Sequence, residues 1–232
     1  MGHRRLAVSS AAGDSHPIVD GRWNTSKARR VWTFVDYRGP VRVLAMSGSL
    51  RRASSNDALV GAVARLVPDT TLEVSVCREL EALPPFNPDL DGDNAPDAVV
   101  RFRAALQACD AVLISSPGCA YGPRGVLENA LDWLVPSGEL VDKPIALINA
   151  SARARHTWAS VAETSAVMSA HVILEAWITV PHDSRGLDAN GIVVDAGFSA
   201  ALMSAIAALA IAARDARLST RARGSSRRCR YP

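Results

Sequence analysis

The stretch Ser47-Gly48-Ser49-Leu50-Arg51-Arg52-Ala53-Ser54-Ser55-Asn56 concentrates groups that bind an anion. Hydroxyls at Ser49 and Ser54, the Arg51 guanidinium, the Asn56 amide and the free backbone N–H groups of a starting helix at Ser55 together suit a phosphate. Gly48 lets the backbone turn closely. The plainer alternative is helix capping by Ser54 or Ser55 with the arginines in solvent. A whole polar loop placed directly after a buried strand favours the ligand. Neither common nucleotide loop is present. The chain has no Gly-x-x-x-x-Gly-Lys-Ser/Thr, and no Gly-x-Gly-x-x-Gly follows the first apolar run. A ligand with a single phosphate, such as FMN, fits better.

The elements that must position this loop can be read from hydrophobic spacing. Val41–Ser47 is an apolar run typical of a strand buried on both faces, and Ser55–Leu66 has helix spacing, stopped by Pro68 and Asp69. Thr71–Val76 alternates as a second strand, and Arg78–Pro96 is a long Pro/Gly-rich loop of the kind that is often functional. Helices are expected over Asp97–Ala108, Val126–Val135, His156–Ala170 and Phe198–Arg214, and strands over Ala111–Ser115, Pro144–Asn149 and Val172–Val180. Asp183–Ala196 reads as a polar excursion with a tight turn at Asn190-Gly191. Five rounds of strand and helix imply a doubly wound parallel α/β sheet with helices on both faces and strand order 2-1-3-4-5. In that order the loops after the first and third strands meet where the strand order reverses. Those loops are residues 48–56 and 116–125.

Charge separates this domain from its ends. Of a net +3, residues 1–40 carry +4 and residues 214–232 carry +6, which leaves −7 for residues 41–213. The expected organisation is a disordered leader over 1–40, with Val31–Tyr37 able to dock as a stray strand, an FMN-binding domain over 41–213, and a disordered basic tail over 214–232. Nucleic-acid docking by the tail is the minor reading. The four cysteines, Cys77, Cys109, Cys119 and Cys229, form no CxxC pair or Cys/His cluster, so no zinc site is signalled and reduced thiols in a cytoplasmic protein are the default. No signal-peptide pattern is present, and the apolar run Ser199–Ala213 is short for a bilayer. The histidines are scattered, no Gly-x-Ser-x-Gly elbow exists, and Asp89-Leu90-Asp91-Gly92-Asp93 lacks the spacing of a calcium loop. Metal and Ser/His/Asp hydrolytic chemistry are therefore not expected.

Three motifs in order resemble the NADPH-dependent FMN reductase family over about residues 41–180. Gly48-Ser49-Leu50-Arg51 with Ser54 and Asn56 is similar to its phosphate loop. Leu83-Pro84-Pro85-Phe86-Asn87-Pro88-Asp89-Leu90 is similar to its second loop. Ser116-Pro117, then Gly125-Val126-Leu127-Glu128-Asn129-Ala130-Leu131-Asp132-Trp133, resembles its flavin-ring loop and following helix. The resemblance implies a flavodoxin-like fold, non-covalent FMN, and hydride transfer from NADPH or NADH through the flavin N5 to a quinone-like, azo or flavin acceptor. It implies that Ser49, Arg51, Ser54, Ser55 and Asn56 hold the phosphate. Pro117, Gly118, Cys119, Ala120, Tyr121 and Gly122 would lie against the ring, and Ser151 would sit beside them.

Two departures stand out. The family usually has Glu-Tyr where this chain has Gly118-Cys119, and a glycine-rich run where it has residues 149–156, whose Arg153 and Arg155 either face the phosphate of NADPH or are surface arginines capping the helix His156–Ala170. The altered pair motivates an alternative reading, an FMN carrier or sensor with little turnover. Relatives are often dimers, so a homodimer or homotetramer is expected, with Val126–Val135 and His156–Ala170 as interface helices. Membrane is not an expected partner and nucleic acid is not the favoured one.

Overall fold

A computed structural model of the chain describes residues 39–51, 54–67, 72–117, 125–151, 155–181 and 186–226, with backbone alone for 155–157 and 220–226. Expectations about residues 1–38 and the segments between these ranges lie outside the described residues.

Five strands, β1 (Val41–Ser47), β2 (Leu72–Val76), β3 (Ala111–Ser115), β4 (Pro144–Asn149) and β5 (His171–Thr179), form one parallel sheet in the order β2-β1-β3-β4-β5. The central strands are apolar throughout because both faces are covered. Alternate residues of β1 part to opposite sides, Leu44 and Met46 to one core, Val41, Val43 and Ala45 to the other. β3 and β4 divide the same way, with Val112, Ile114, Ile145 and Leu147 opposed to Ala111, Leu113, Ala146 and Ile148. The first core is closed by α2 (Asp97–Ala108), α3 (Gly125–Asp132) and α4 (Arg155–Val167), the second by α1 (Ser55–Leu66), α5 (Ala189–Val194) and α6 (Ala196–Ser226). Each fully buried Leu, Ile, Val or Phe stabilises the fold by about 1.5–3 kcal/mol, so these two layers hold the sheet edge in place.

The structure corrects three readings. The excursion over Asp183–Ala196 contains α5, and Asn190-Gly191 lies inside that helix, not at a tight turn. Asp188 caps it, its Oδ1 accepting the Gly191 N–H at 2.8 Å, and a capped helix start outweighs the local turn preference of Asn-Gly. The closing helix runs to Ser226, not Arg214, so the segment expected as disordered tail is helical that far. The charge run contains no proline and reaches its first glycine only at Gly224, and Arg217 has a partner on the domain. The apolar part is also longer than Ser199–Ala213. Ala196–Ser219 is long and apolar enough to cross a membrane by length and composition. Its inner face, however, buries Leu202, Ala205, Ile206, Leu209 and Ala213 in the sheet core.

Smaller shifts have local causes. α4 stops at Val167 where Ser169 takes a left-handed conformation (φ 60°), and the chain after α3 continues in turns. The long loop is built from three short 3-10 turns at Glu79–Ala82, Pro88–Leu90 and Gly92–Asn94.

Candidate functional site

β1 ends at Ser47, directly opposite Ser115 at the end of β3. The ladder runs one step further, the Gly48 N–H donating to the Ser115 carbonyl at 2.8 Å. A methyl group on Gly48 would stand 2.3 Å from Ser116 Oγ and 2.7 Å from Ser116 Cβ. The two loops therefore touch with no room for a side chain, and they do so in the crevice where the strand order reverses.

Beyond Gly48 the backbone is folded by its own serines. Ser47 Oγ accepts the Ser49 N–H at 3.3 Å, and Ser49 Oγ accepts the Arg51 N–H at 3.4 Å. Ser54 is the N-cap of α1, its Oγ accepting from the N–H groups of Asn56 (3.2 Å) and Asp57 (3.3 Å). The capping alternative thus holds at Ser54, and Arg51 is exposed. Capping does not remove the ligand reading. A serine hydroxyl has two acceptor positions and one proton. The helix takes both acceptors of Ser54, which leaves the proton to donate outward. Asn56 is buried, and its Oδ1 accepts the Ser115 hydroxyl at 3.0 Å. Its two Nδ2 protons have no partner among the described residues, and neither has the Ser55 N–H. The groups left over are donors: the Ser49 and Ser54 hydroxyls, Asn56 Nδ2, the Ser55 N–H and the Arg51 guanidinium. At the start of a helix, such a set fits the phosphate of FMN.

The ring-side residues are placed less completely. Pro117 follows β3 and Ser116, while Gly118, Cys119, Ala120, Tyr121 and Gly122 lie outside the described residues. Ser151 stands just past the carboxyl end of β4. Its N–H donates to Asn149 Oδ1 at 3.0 Å, and its carbonyl accepts from Asn149 Nδ2. Arg153 is outside the described residues, and Arg155 opens α4.

Sequence reasoning treats Ser115 only as the end of a buried strand; the abrupt change from Ile114 to two hydroxyls, Ser115 and Ser116, is the signal that marks it as part of the site. In the sequence, Asn129 and Trp133 belong to the motif that resembles the flavin-ring loop and following helix. Their further role is to clamp the second loop. Asn129 Nδ2 donates to the Pro84 carbonyl at 3.0 Å and its Oδ1 accepts the Phe86 N–H at 2.7 Å. The Trp133 indole N–H donates to the same Pro84 carbonyl at 2.9 Å, and Phe86 packs edge-on to its ring at 5.0 Å. Arg103 closes the far side, donating to the Trp133 carbonyl and pairing with Asp91 at 2.9 Å. Two of the three motifs are thereby one physical unit. Replacing Asn129 by alanine strands the Phe86 N–H and removes one donor from the Pro84 carbonyl, and is expected to cost about 1–3 kcal/mol. Limited proteolysis should then cut within residues 83–94 at lower protease concentration than in the unmodified protein; an unchanged cleavage rate would refute the clamp.

Cys77 and Cys109 are free and buried. Burial pushes the Cys77 thiol up to about 11, and burial likewise raises Cys109 against the opposing charge of Lys143. Neither is a thiolate at neutral pH, so neither is a ready nucleophile. A thiol-specific reagent at neutral pH is expected to leave Cys77 and Cys109 unmodified in the folded protein and to reach them after denaturation. Rapid native modification of either would contradict the burial.

Known proteins bear directly on this arrangement. The family model described as NADPH-dependent FMN reductase matches residues 41–184. The chain is 31% identical over 164 residues to an NAD(P)H-dependent FMN reductase of Pseudomonas aeruginosa, covering 67% of this chain and 85% of that one. It is 32% identical over 162 residues to a 2-hydroxy-1,4-benzoquinone reductase of a Burkholderia species, covering 66% of this chain and 86% of the relative. Among solved structures it is similar to FerB, a flavoenzyme NAD(P)H:(acceptor) oxidoreductase of Paracoccus denitrificans, with a TM-score of 0.65 and 27% identity over 75% of this chain and 98% of that chain. The chain belongs to the NADPH-dependent FMN reductase family.

Proposed function

We propose that this protein is an FMN-dependent NAD(P)H oxidoreductase acting on quinone-like, azo or flavin acceptors. The observation that carries the reading is the set of donors between β1 and α1 that have no partner among the described residues, assembled where a doubly wound sheet binds ligands. Ser49, Arg51, Ser54, Ser55 and Asn56 would hold the phosphate, and Pro117 with residues 118–122 and Ser151 would border the ring. When bound, FMN supplies two-electron chemistry, taking a hydride equivalent from NADPH or NADH and yielding it to the acceptor. The chain's own work is placement. Gly48 brings the two loops together, Ser54 fixes the start of α1, and the Asn129–Trp133 clamp holds the second loop. No side chain of the described site is required as an acid or base, because solvent exchanges the protons.

The names of the relatives support quinone and flavin acceptors, since they include quinone reductases as well as FMN reductases. A cytoplasmic homodimer is part of the same proposal, with the outer faces of α3 and α4 as the interface. Val167, at the end of α4, is exposed, as is Val135 in the turns that follow α3. Residues 1–40 and the basic end past the core helix are proposed to be accessory to residues 41–213. The test is steady-state NADPH oxidation by the FMN-loaded protein with a benzoquinone acceptor. A rate well above that of free FMN is expected, and a rate no better than free FMN would overturn the enzymatic reading.

A further inference from the structure

We propose that Ser115 is a positioning residue that sets the preference for phosphorylated over unphosphorylated flavin, by fixing the direction of the Asn56 amide. This rests on the FMN reading of the site and adds a residue to it.

Ser115 is fully buried at the end of β3, and its carbonyl is already engaged by the Gly48 N–H. Its hydroxyl has one partner among the described residues, Asn56 Oδ1 at 3.0 Å, reached across 59 positions of sequence. An asparagine amide can be turned over with little change of shape, and the two orientations differ in chemistry. With Oδ1 toward Ser115, the hydroxyl proton is satisfied and Nδ2 presents two donors to the loop. With the amide reversed, Nδ2 would donate to the hydroxyl oxygen and the serine proton would be left buried with no acceptor among the described residues. A buried donor orphaned in this way disfavours that orientation. The reversed amide would also aim a carbonyl oxygen at the phosphate oxygens, acceptor against acceptor. Ser115 therefore selects the one orientation in which Asn56 binds an anion.

Asn56 is also held at its other end. Its own N–H is taken by Ser54 Oγ at 3.2 Å, and the Ser54 carbonyl starts the helix by accepting from Ala58. The backbone of Asn56 is thus fixed by the cap and its side chain by Ser115. A ligand meets a donor already turned toward it and need not reorient it on binding.

The test is a pair of fluorescence-quenching titrations, FMN and riboflavin, on the purified protein and on Ser115→Ala. Riboflavin has the same ring and lacks the phosphate. Ser115→Ala is expected to weaken FMN about tenfold, the scale of one lost charge-assisted hydrogen bond, and to leave riboflavin affinity unchanged. Ser115→Thr keeps the hydroxyl and is expected to hold the wild-type FMN-to-riboflavin ratio. In Asn56→Ala, which loses the amide outright, adding Ser115→Ala should weaken FMN no further. An unchanged ratio in Ser115→Ala, an equal fall in both flavins, or full additivity with Asn56→Ala would each overturn the proposal. Failure of the unmodified protein to prefer FMN to riboflavin would instead overturn the reading of the phosphate site.

Discussion

Gly48→Ala is expected to weaken FMN binding by at least about a hundredfold, close to 3 kcal/mol, and to lower the melting temperature as well. The added methyl would lie 2.7 Å from Ser116 Cβ, a group that no side-chain rotation removes. Either the end of β3 must move, or residue 48 must withdraw and give up its hydrogen bond to the Ser115 carbonyl. Overpacking of this kind costs about 1–3 kcal/mol in stability. The loss of binding has a separate origin. Ser47, Ser49 and Arg51 are linked by consecutive N–H to Oγ bonds, so a displaced residue 48 shifts the hydroxyl and guanidinium that follow. FMN titration and thermal melting of the same variant read the two effects, and a variant that melted normally and bound FMN normally would show that the two loops do not need their contact.

Asp110→Ala is expected to destabilise the fold by about 2–3 kcal/mol. Asp110 immediately precedes β3, at the end of the sheet away from the site, and its carboxylate gathers three elements. It accepts the Arg42 backbone N–H at 2.8 Å and the Arg217 Nε at 2.8 Å, with a second bond from Arg217 Nη2. Arg217 also donates to the Pro40 carbonyl at 2.9 Å, so the far part of α6 is tied to the start of β1. The carboxylate is mostly buried, while the two arginines are partly exposed. Solvent screening at the arginines keeps the loss below the roughly 3–5 kcal/mol seen for a fully buried broken pair. Burial pushes the carboxyl up, but the Arg217 hydrogen bonds, the Arg42 N–H and the two guanidinium charges outweigh it, so Asp110 titrates below the usual carboxylate range. A group depressed in the folded state contributes stability that is present above its unfolded value, about 4, and is lost as pH falls toward the folded value. Urea melts of the unmodified protein and of Asp110→Ala should therefore differ at pH 7 and converge below about pH 4. A constant gap across that window would contradict the clasp.

What the sequence revealed follows from how far each signal reaches along the chain. The bounds of β1, α1, α2, β3 and β4 could be read directly, because a two-sided apolar run or a helical stripe ends at a proline, a serine cap or a charged pair within a few residues. The loop proposed to hold the phosphate is contiguous, residues 47–56, so its cluster of polar groups shows in the sequence for the same reason. The end of α6 was not legible. Seven arginines in a terminal segment read as solvated, and the residue that engages one of them is 107 positions away. The role of Ser115 was hidden likewise, since Asn56 is 59 positions away. α5 was missed for a nearer cause. Asp188 and Gly191 form a cap, but Asn190-Gly191 is a familiar turn pair whose two-residue signal masks the cap spacing around it. Asn129 stood inside a recognised motif, yet only the folded loop shows that both ends of its amide are used.

The central claim is that the loop between β1 and α1 holds FMN for exchange with NAD(P)H. The visible absorbance spectrum tests it most directly, taken on protein loaded with FMN, freed of excess by gel filtration, and then treated with NADPH without oxygen. Retained flavin bands that bleach on addition of NADPH are the expected result. A colourless protein that leaves FMN fluorescence unquenched at about 10–100 μM, a binding free energy weaker than roughly −6 kcal/mol, would contradict the claim.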